Sequence, residues 1–411
     1  MVALLFIAYN VPLVRLQVEF SLPEKFRLHN FWIALYALIA FLWIFQGIRA
    51  AIGMSRLPWL SDTAPISSVD APGVSVIFAA RDEAEKLSGA VQSMLALDYP
   101  NFEIVAVNDR SRDRTREILH EFERRSPRLN VIDILELPSG WLGKPHALVA
   151  GVEHSRGEWL LFTDADVHFA PDLLSRAVAL AQERRLDHLT LPAAVEMKGF
   201  WETTTISYFQ LGFIFGNEPW KASDGRSHRY VGIGAFQLVR RDAYDTCGGH
   251  RRLRMDVIED MKLGKLIKMA GFRSGMAVAG EGVRVRWHSG ARGVIRGVTK
   301  NFFAACHYNS FFALAALSFT LLMSVLPFFG IIFATGWARG FAAAAAIAAI
   351  GIQAAANSGI GVSPFYGLTH PVGALLFCWM LARSAIVTLW SGGVTWRDTF
   401  YPLDELRKGL V

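Results

Sequence analysis

Between Glu281 and Asp398 the chain contains no aspartate or glutamate. That tract also holds three apolar runs, at 311–335, 340–356 and 371–389. Lipid burial explains both features, because a carboxylate in hydrocarbon is costly and an apolar helix of about 20 residues spans it. A fourth run, 31–48, lies near the other end and is followed by Arg49 and Arg56, which the positive-inside rule assigns to the cytoplasm. The shorter apolar stretch 2–14 contains Pro12 and has no basic leader or small-residue cleavage site, so it reads as a partial or interfacial span and not as a cleaved signal.

The chain is therefore polar in its middle and apolar at its ends, with 52% hydrophobic residues over 411 positions and a mean hydropathy of +0.29. Lys and Arg number 42 against 36 acids, a net charge of +6, so an anionic partner is expected. Membrane headgroups and phosphates suit an apolar chain, and no nucleic acid is expected. Cys247, Cys306 and Cys378 show no metal-binding spacing and read as packing residues in a reducing compartment.

The polar middle, 74–290, follows a membrane segment (1–56) and a linker (57–73). Its apolar runs alternate with helical periods: strands at 74–80, 103–109, 130–135 and 159–166, helices at 82–96, 112–126 and 145–155. This predicts an α/β domain of βαβ units with a mainly parallel sheet, Rossmann-like, whose ligand lies beyond the carboxyl ends of the strands. Polar clusters stand at four such ends: Arg81, Asp82 and Glu83; Asp109, Arg110 and Ser111; the loop 141–146 with Lys144; and Asp164 with Asp166. Two carboxylates at i and i+2 suit a hard divalent cation, though such triplets also cap helices. Lys144 between Gly143 and Pro145 presents an ammonium at a helix opening, as a phosphate contact or an exposed loop lysine. Glu259 and Asp260 open a further helix, where they complement its dipole or supply a general base.

In order and spacing these segments resemble glycosyltransferase family 2, whose nucleotide-sugar domain has the GT-A fold. The matching stretches are VSVIFAARDEAEKL, VAVNDRSRDRT, GWLGKPHAL, FTDADV, IEDMKLG and a degenerate VRVRW. The resemblance implies that Arg81, Asp82, Glu83, Asp109, Lys144, Asp164, Arg286 and Trp287 bind a UDP-sugar, and that Asp164 and Asp166 hold Mn2+ or Mg2+. It implies Asp260 as the catalytic base of an inverting transfer. Val283 stands where the family's glutamine is expected, which favours one sugar per acceptor over a processive polysaccharide synthase. The expected product is a glycolipid, as with ceramide glucosyltransferase-like and carotenoid- or hopanoid-associated members, made at a bacterial inner membrane by a cytoplasmic domain. A non-catalytic scaffold or transporter is the alternative from another class.

After the domain, 291–310 is expected to lie on the membrane, with Val294, Val298, Phe302 and Phe303 toward lipid and Arg292, Arg296 and Lys300 at the headgroups. His288 is a candidate extension of the site, and 200–220 is expected to face acceptor or membrane. Transmembrane helices at 311–390 precede a tail at 391–411. Three crossings would put that tail opposite the domain, yet Arg397, Arg407 and Lys408 favour the domain's side, which two or four crossings would satisfy.

Overall fold

The computed structural model describes residues 22–66, 71–287 and 290–411; the run 2–14, part of the linker (67–70) and His288 lie outside the described residues. Helix α1 (Leu22–Met54) leads to β1 (Val74–Ala80), α2 (Ala84–Leu95), β2 (Phe102–Asp109), α3 (Thr115–Arg125), β3 (Leu129–Ile134), α4 (Gly143–Glu153) and β4 (Trp159–Asp164). Every strand and helix expected in this half is present, with ends shifted by a few residues. Then come β5 (Val167–Phe169), α5 (Leu173–Glu183), β6 (His188–Thr190), β7 (Ala194–Val195), α6 (Phe200–Asn217), β8 (Gln237–Arg240), α7 (Arg241–Cys247), α8 (Gly249–Arg252), α9 (Glu259–Met269), β9 (Ser274–Met276) and β10 (Val283–Val285).

The main sheet has the order β3-β2-β1-β4-β8-β6-β9. Only β8 runs antiparallel to its neighbours. Parallel strands covered on both faces read as unbroken apolar runs, and Val76, Ile77 and Phe78 of β1 are indeed wholly buried. Leu87, Ala90, Val91 and Met94 give α2 one apolar stripe, which packs on one face of the sheet with α5. Helices α4, α7 and α9 cover the other. The chain moves from β1 outward to β2 and β3, then returns to place β4 on the opposite side of β1. That reversal is a topological switch point, where such sheets bind ligands.

The segment after α1 is docked and not free: Leu60 is buried, its N–H reaches Val278 O at 2.9 Å, and Trp59 bridges Val278. Burial of Leu57 and Leu60 overrides the turn-like composition around them.

Beyond the sheet lie α10 (Gly290–Val298), α11 (Phe302–Ala305), α12 (Ser310–Ser324), α13 (Leu326–Phe333), α14 (Gly336–Gly359), α15 (His370–Ser391), the hairpin β11 (Gly393–Trp396) and β12 (Thr399–Pro402), and α16 (Leu403–Lys408). Among the described residues three helical stretches are long and apolar enough to cross a membrane: Arg27–Met54, Gly336–Gly359 and Pro364–Ser391. The expected span at 311–335 is a pair of helices bent by 41°, long and apolar enough together for a broken span or a re-entrant loop. Pro327 has no N–H for Met323 O, one turn back, and the indole Nε1 of Trp43 takes that oxygen at 3.0 Å. Helix α14 packs parallel to α1, with Gly336 beside His29 and Ile352 beside Gly47.

Two expectations change here. Val294, Val298, Phe302 and Phe303 do not face lipid; they are buried in a protein core with Met380, Leu381, Tyr401 and Leu406. Periodicity marks an apolar face without saying what covers it. The tail lies against the α/β domain: Gly409 packs on Met255, and Lys262 and Lys265 both donate to Val411 O. A tail on the domain's side agrees with the two- or four-crossing alternatives for any arrangement in which these helices span a bilayer.

Candidate active site

Strand register assembles the site. Ala80 pairs with Asn108 and Ala79 with Asp164, so the ends of β1, β2 and β4 meet at one edge. The turns that follow bend sharply: Asp82 and Arg110 have φ of +54° and +57°, a region most side chains avoid. Each turn holds the other, since Asp82 N–H donates to Ser111 Oγ at 3.2 Å and Arg112 N–H to Asp82 Oδ1 at 2.7 Å. Asp109 is buried and takes Arg110 Nε at 2.7 Å. Gly143 opens α4 hard against that carboxylate, and a Cβ there would collide with Asp109 Oδ2. Glycine is what lets α4 approach.

Lys144 is the hub of the centre. Its Nζ lies 2.6 Å from Asp164 Oδ1 and 2.8 Å from Glu259 Oε1. Asp260 follows Glu259 at the start of α9, and its two carboxylate oxygens accept Gly234 N–H at 2.9 Å and Met261 N–H at 2.8 Å. A Cβ on Gly234 would stand 2.9 Å from Asp164 Oδ2 and 3.4 Å from Asp260 Oδ2. Both carboxylates therefore converge on one backbone position.

The second acid of the triplet has a separate partner. Asp166 Oδ2 accepts Lys86 Nζ at 2.8 Å, and Lys86 also donates to Arg286 O at 3.0 Å. Glu202, wholly buried in α6, binds Arg286 at 3.3 Å and accepts Gly290 N–H at 2.8 Å and Lys198 N–H at 3.0 Å. Trp287 packs against Phe209 of the same helix, ring centres 5.2 Å apart. Arg81 has its Nε buried without a hydrogen-bond partner among the described residues.

Charge coupling sets the protonation states. Burial, with Glu259 adding, pushes the Asp260 carboxyl up to about 6, while Lys144 opposes. Burial works against the charge on Lys144, but Asp164, Glu259 and Asp260 hold it above the ordinary lysine value. Burial likewise opposes ionisation of Asp164, and Lys144 more than offsets it, leaving that carboxyl below its usual range. Asp166 goes the other way, raised by burial and only partly relieved by Lys86. A carboxylate poised near 6 beside one kept ionised is a division of labour suited to proton transfer next to electrostatic binding.

The far end of the chain completes one wall. Arg397 pairs with Glu83 and donates to Asp82 O at 3.5 Å, and Asp398 lies 3.7 Å from Arg112. Both residues of this hairpin turn have positive φ, +48° and +63°, as a two-residue hairpin loop requires. Lys300, between α10 and α11, turns inward, its ammonium 3.5 Å from the centre of the Trp396 ring. Burial pushes that ammonium down to about 8, with Glu259 and Asp260 opposing and Lys144 adding to the shift.

Residues 75–248 match the family model for glycosyl transferase family 2. That segment of the chain is similar to glycosyl transferase family 2. It is 29% identical over 182 residues to a beta-monoglucosyldiacylglycerol synthase of Trichormus variabilis, covering 43% of this chain and 38% of that protein. It is 28% identical over 197 residues to a 4,4'-diaponeurosporenoate glycosyltransferase of Staphylococcus aureus, covering 46% and 50%. The chain thus spans half or less of the length of these relatives. A mannosyltransferase of Pyrobaculum calidifontis, solved with GDP-Man and Mn2+, aligns over 89% of this chain and 99% of its own with a TM-score of 0.53 at 21% identity. The mixed α/β architecture with a mostly parallel sheet is thus a fold shared with this mannosyltransferase.

The fold brings Asp82, Glu83, Asp109, Lys144, Asp164 and Asp166 of the matched segment, and Asp260 beyond it, to the same sheet edge. Arg286 and Trp287 reach it through Lys86 and α6. Sequence reasoning missed Lys86, Glu202, Gly234, Lys300 and Arg397. Lys86, one helical turn after Glu83, was open to detection by spacing. The others arrive from distant segments and carried no local signal.

Proposed function

We propose that the chain is a membrane-embedded glycosyltransferase that moves a single sugar from a UDP-sugar to a hydroxyl or carboxyl group of a membrane lipid, with inversion at the anomeric carbon. The convergence of Asp164 and Asp260 on Gly234 at the switch point, with Lys144 bridging Asp164 and Glu259, carries this reading. Two family 2 relatives with glycolipid names and the long apolar helices support the lipid acceptor and the membrane. The positive flank of α1, with the tail on the domain's side, supports a cytoplasmic domain.

In this reading Asp109, buried at the end of β2, accepts from the donor base, and Lys144 and Arg286 meet its phosphates. Asp164 and Asp166 fit Mn2+ or Mg2+: both are hard oxygen donors, and the Asp164 side chain is 41% exposed toward the rim where diphosphate oxygens would join it. Such a cation neutralises charge building on the leaving diphosphate. Lys86 then has to yield one Asp166 oxygen. Asp260 takes the proton from the acceptor as its oxygen bonds the anomeric carbon, and the bond from that carbon to the nucleoside diphosphate breaks on the opposite face. Glu259, held by Lys144, supports the lysine and does not share the proton.

The test is release of nucleoside diphosphate by detergent-solubilised protein given UDP-hexoses, Mn2+ or Mg2+ and a lipid extract. Turnover that needs both lipid and cation is expected. Absence of turnover together with absence of nucleotide binding would overturn the reading.

A further inference from the structure

Lys300 was expected among the headgroup-facing cations, and the fold turns it the other way. It is half-buried, at the turn between α10 and α11, with its ammonium over the Trp396 ring at 3.5 Å. Of the three lysines at the site, Lys86 has Asp166 and Lys144 has Asp164 and Glu259. Lys300 has no carboxylate partner and no hydrogen bond among the described residues, and its environment is set by Glu259, Lys144, Asp260 and Asp164.

A partly desolvated cation without a counter-ion costs free energy, and an aromatic face returns only part of it. The arrangement persists because the hairpin is tied down on both sides of Trp396. Arg397 is bound to Glu83 and Asp82 O, and Tyr401 of β12 neighbours Arg110. The same ties place Trp396 next to the two turns that follow β1 and β2. An ammonium is a compact, strongly hydrated point charge, well matched to a phosphate oxygen.

We infer that Lys300 is a ligand of the donor's diphosphate, and that Trp396 is a positioning residue that holds its ammonium over the site before the donor arrives. This rests on the sugar-nucleotide reading above and adds a phosphate contact from outside the sheet domain. Lys144 from α4 and Lys300 from the turn after α10 then both contact the diphosphate. On departure of the nucleoside diphosphate the ammonium returns to the indole.

The experiment measures binding of UDP, GDP and uridine to the full chain in nanodiscs by calorimetry. Lys300→Gln is expected to weaken the diphosphate by about 10- to 100-fold, the usual worth of a charged hydrogen bond, and to leave uridine unchanged. Lys300→Arg should restore most of the loss, Trp396→Phe should bind like the parent, and Trp396→Leu should fall between. Unchanged diphosphate affinity in Lys300→Gln, or equal weakening of diphosphate and uridine, overturns the inference. So does an effect of Lys300→Gln on diphosphate binding that occurs only in phosphatidylglycerol-containing discs, which would assign the lysine to a headgroup. A parent protein that binds neither UDP nor GDP sinks the donor reading itself, whereas a parent that binds and a variant that binds equally sinks only this contact.

Discussion

The sheet edge and the C-terminal wall build the same site by opposite means. At the sheet edge, charges come from strand ends whose spacing the parallel architecture dictates, and each is already matched: Asp109 with Arg110, Asp164 with Lys144, Asp166 with Lys86. On the C-terminal wall, Lys300, Trp396 and Arg397 come from a turn and a hairpin more than a hundred residues after Asp164. They meet the edge only because apolar helices between them fold back. The edge supplies chemistry that many sequences on this fold can share. The wall supplies contacts that depend on how the long apolar helices return the chain.

The largest effect should come from the edge. Asp260→Asn is expected to lower kcat by about 100- to 10,000-fold, the usual contribution of a positioned base, with diphosphate affinity within a few-fold of the parent by calorimetry. Equal loss of binding and turnover would mean that Asp260 holds the site together and does not act on the acceptor. Next is Gly234→Ala, whose methyl would press on Asp164 Oδ2 and Asp260 Oδ2. Displacing both carboxylates should reduce kcat/KM on the order of 100-fold while thermal unfolding shifts little. A parent-like variant would show that the two acids need not be held together.

The pH profile sharpens the comparison further. Because Asp260 must be ionised and its carboxyl sits at about 6, kcat should fall about tenfold per unit as the pH drops below 6. Stability runs the other way. The folded chain holds this proton more tightly than the unfolded chain, so the stabilisation from protonating Asp260 is full below the ordinary carboxylate range and lost as pH rises through about 6. Asp260→Asn should remove that component from the unfolding profile. The smallest effect belongs to the wall: Arg397→Ala breaks a pair that is partly exposed on the arginine side, worth about 1 kcal/mol or less, and should raise the donor KM a few-fold with kcat unchanged.

How much of this the sequence revealed follows the same division. Strands β1 to β4 and their polar ends are legible because buried parallel strands are continuous apolar runs and ligands bind beyond their carboxyl ends, so Asp109, Lys144 and Asp164 can be read as one rim, while Asp260, on a later helix, is reached only through the resemblance. Their pairings were not legible: nothing in the spacing tells that Asp166 faces Lys86 while Asp164 faces Lys144. In the C-terminal half, composition announced apolar helices but not their breaks. Pro327 could have warned of the bend, yet Trp43 closing the freed Met323 carbonyl is a contact across nearly the whole chain. The amphipathic face of 290–309 misled for a related reason, since burial in protein and burial in lipid demand the same side chains. Lys300 had been grouped by charge with Arg292 and Arg296, and only its position at the turn between two short helices separates it from them.

The central claim is that Asp260 drives transfer of one sugar to a lipid. Its most direct test is mass spectrometry of lipids from membranes supplied with a UDP-hexose, comparing parent and Asp260→Asn protein with nucleoside diphosphate release followed in parallel. The account predicts a lipid heavier by a single hexose, matched by released diphosphate, with the parent, and neither with the variant although it still binds UDP. A ladder of hexose additions, or an undiminished product with the variant, would contradict it.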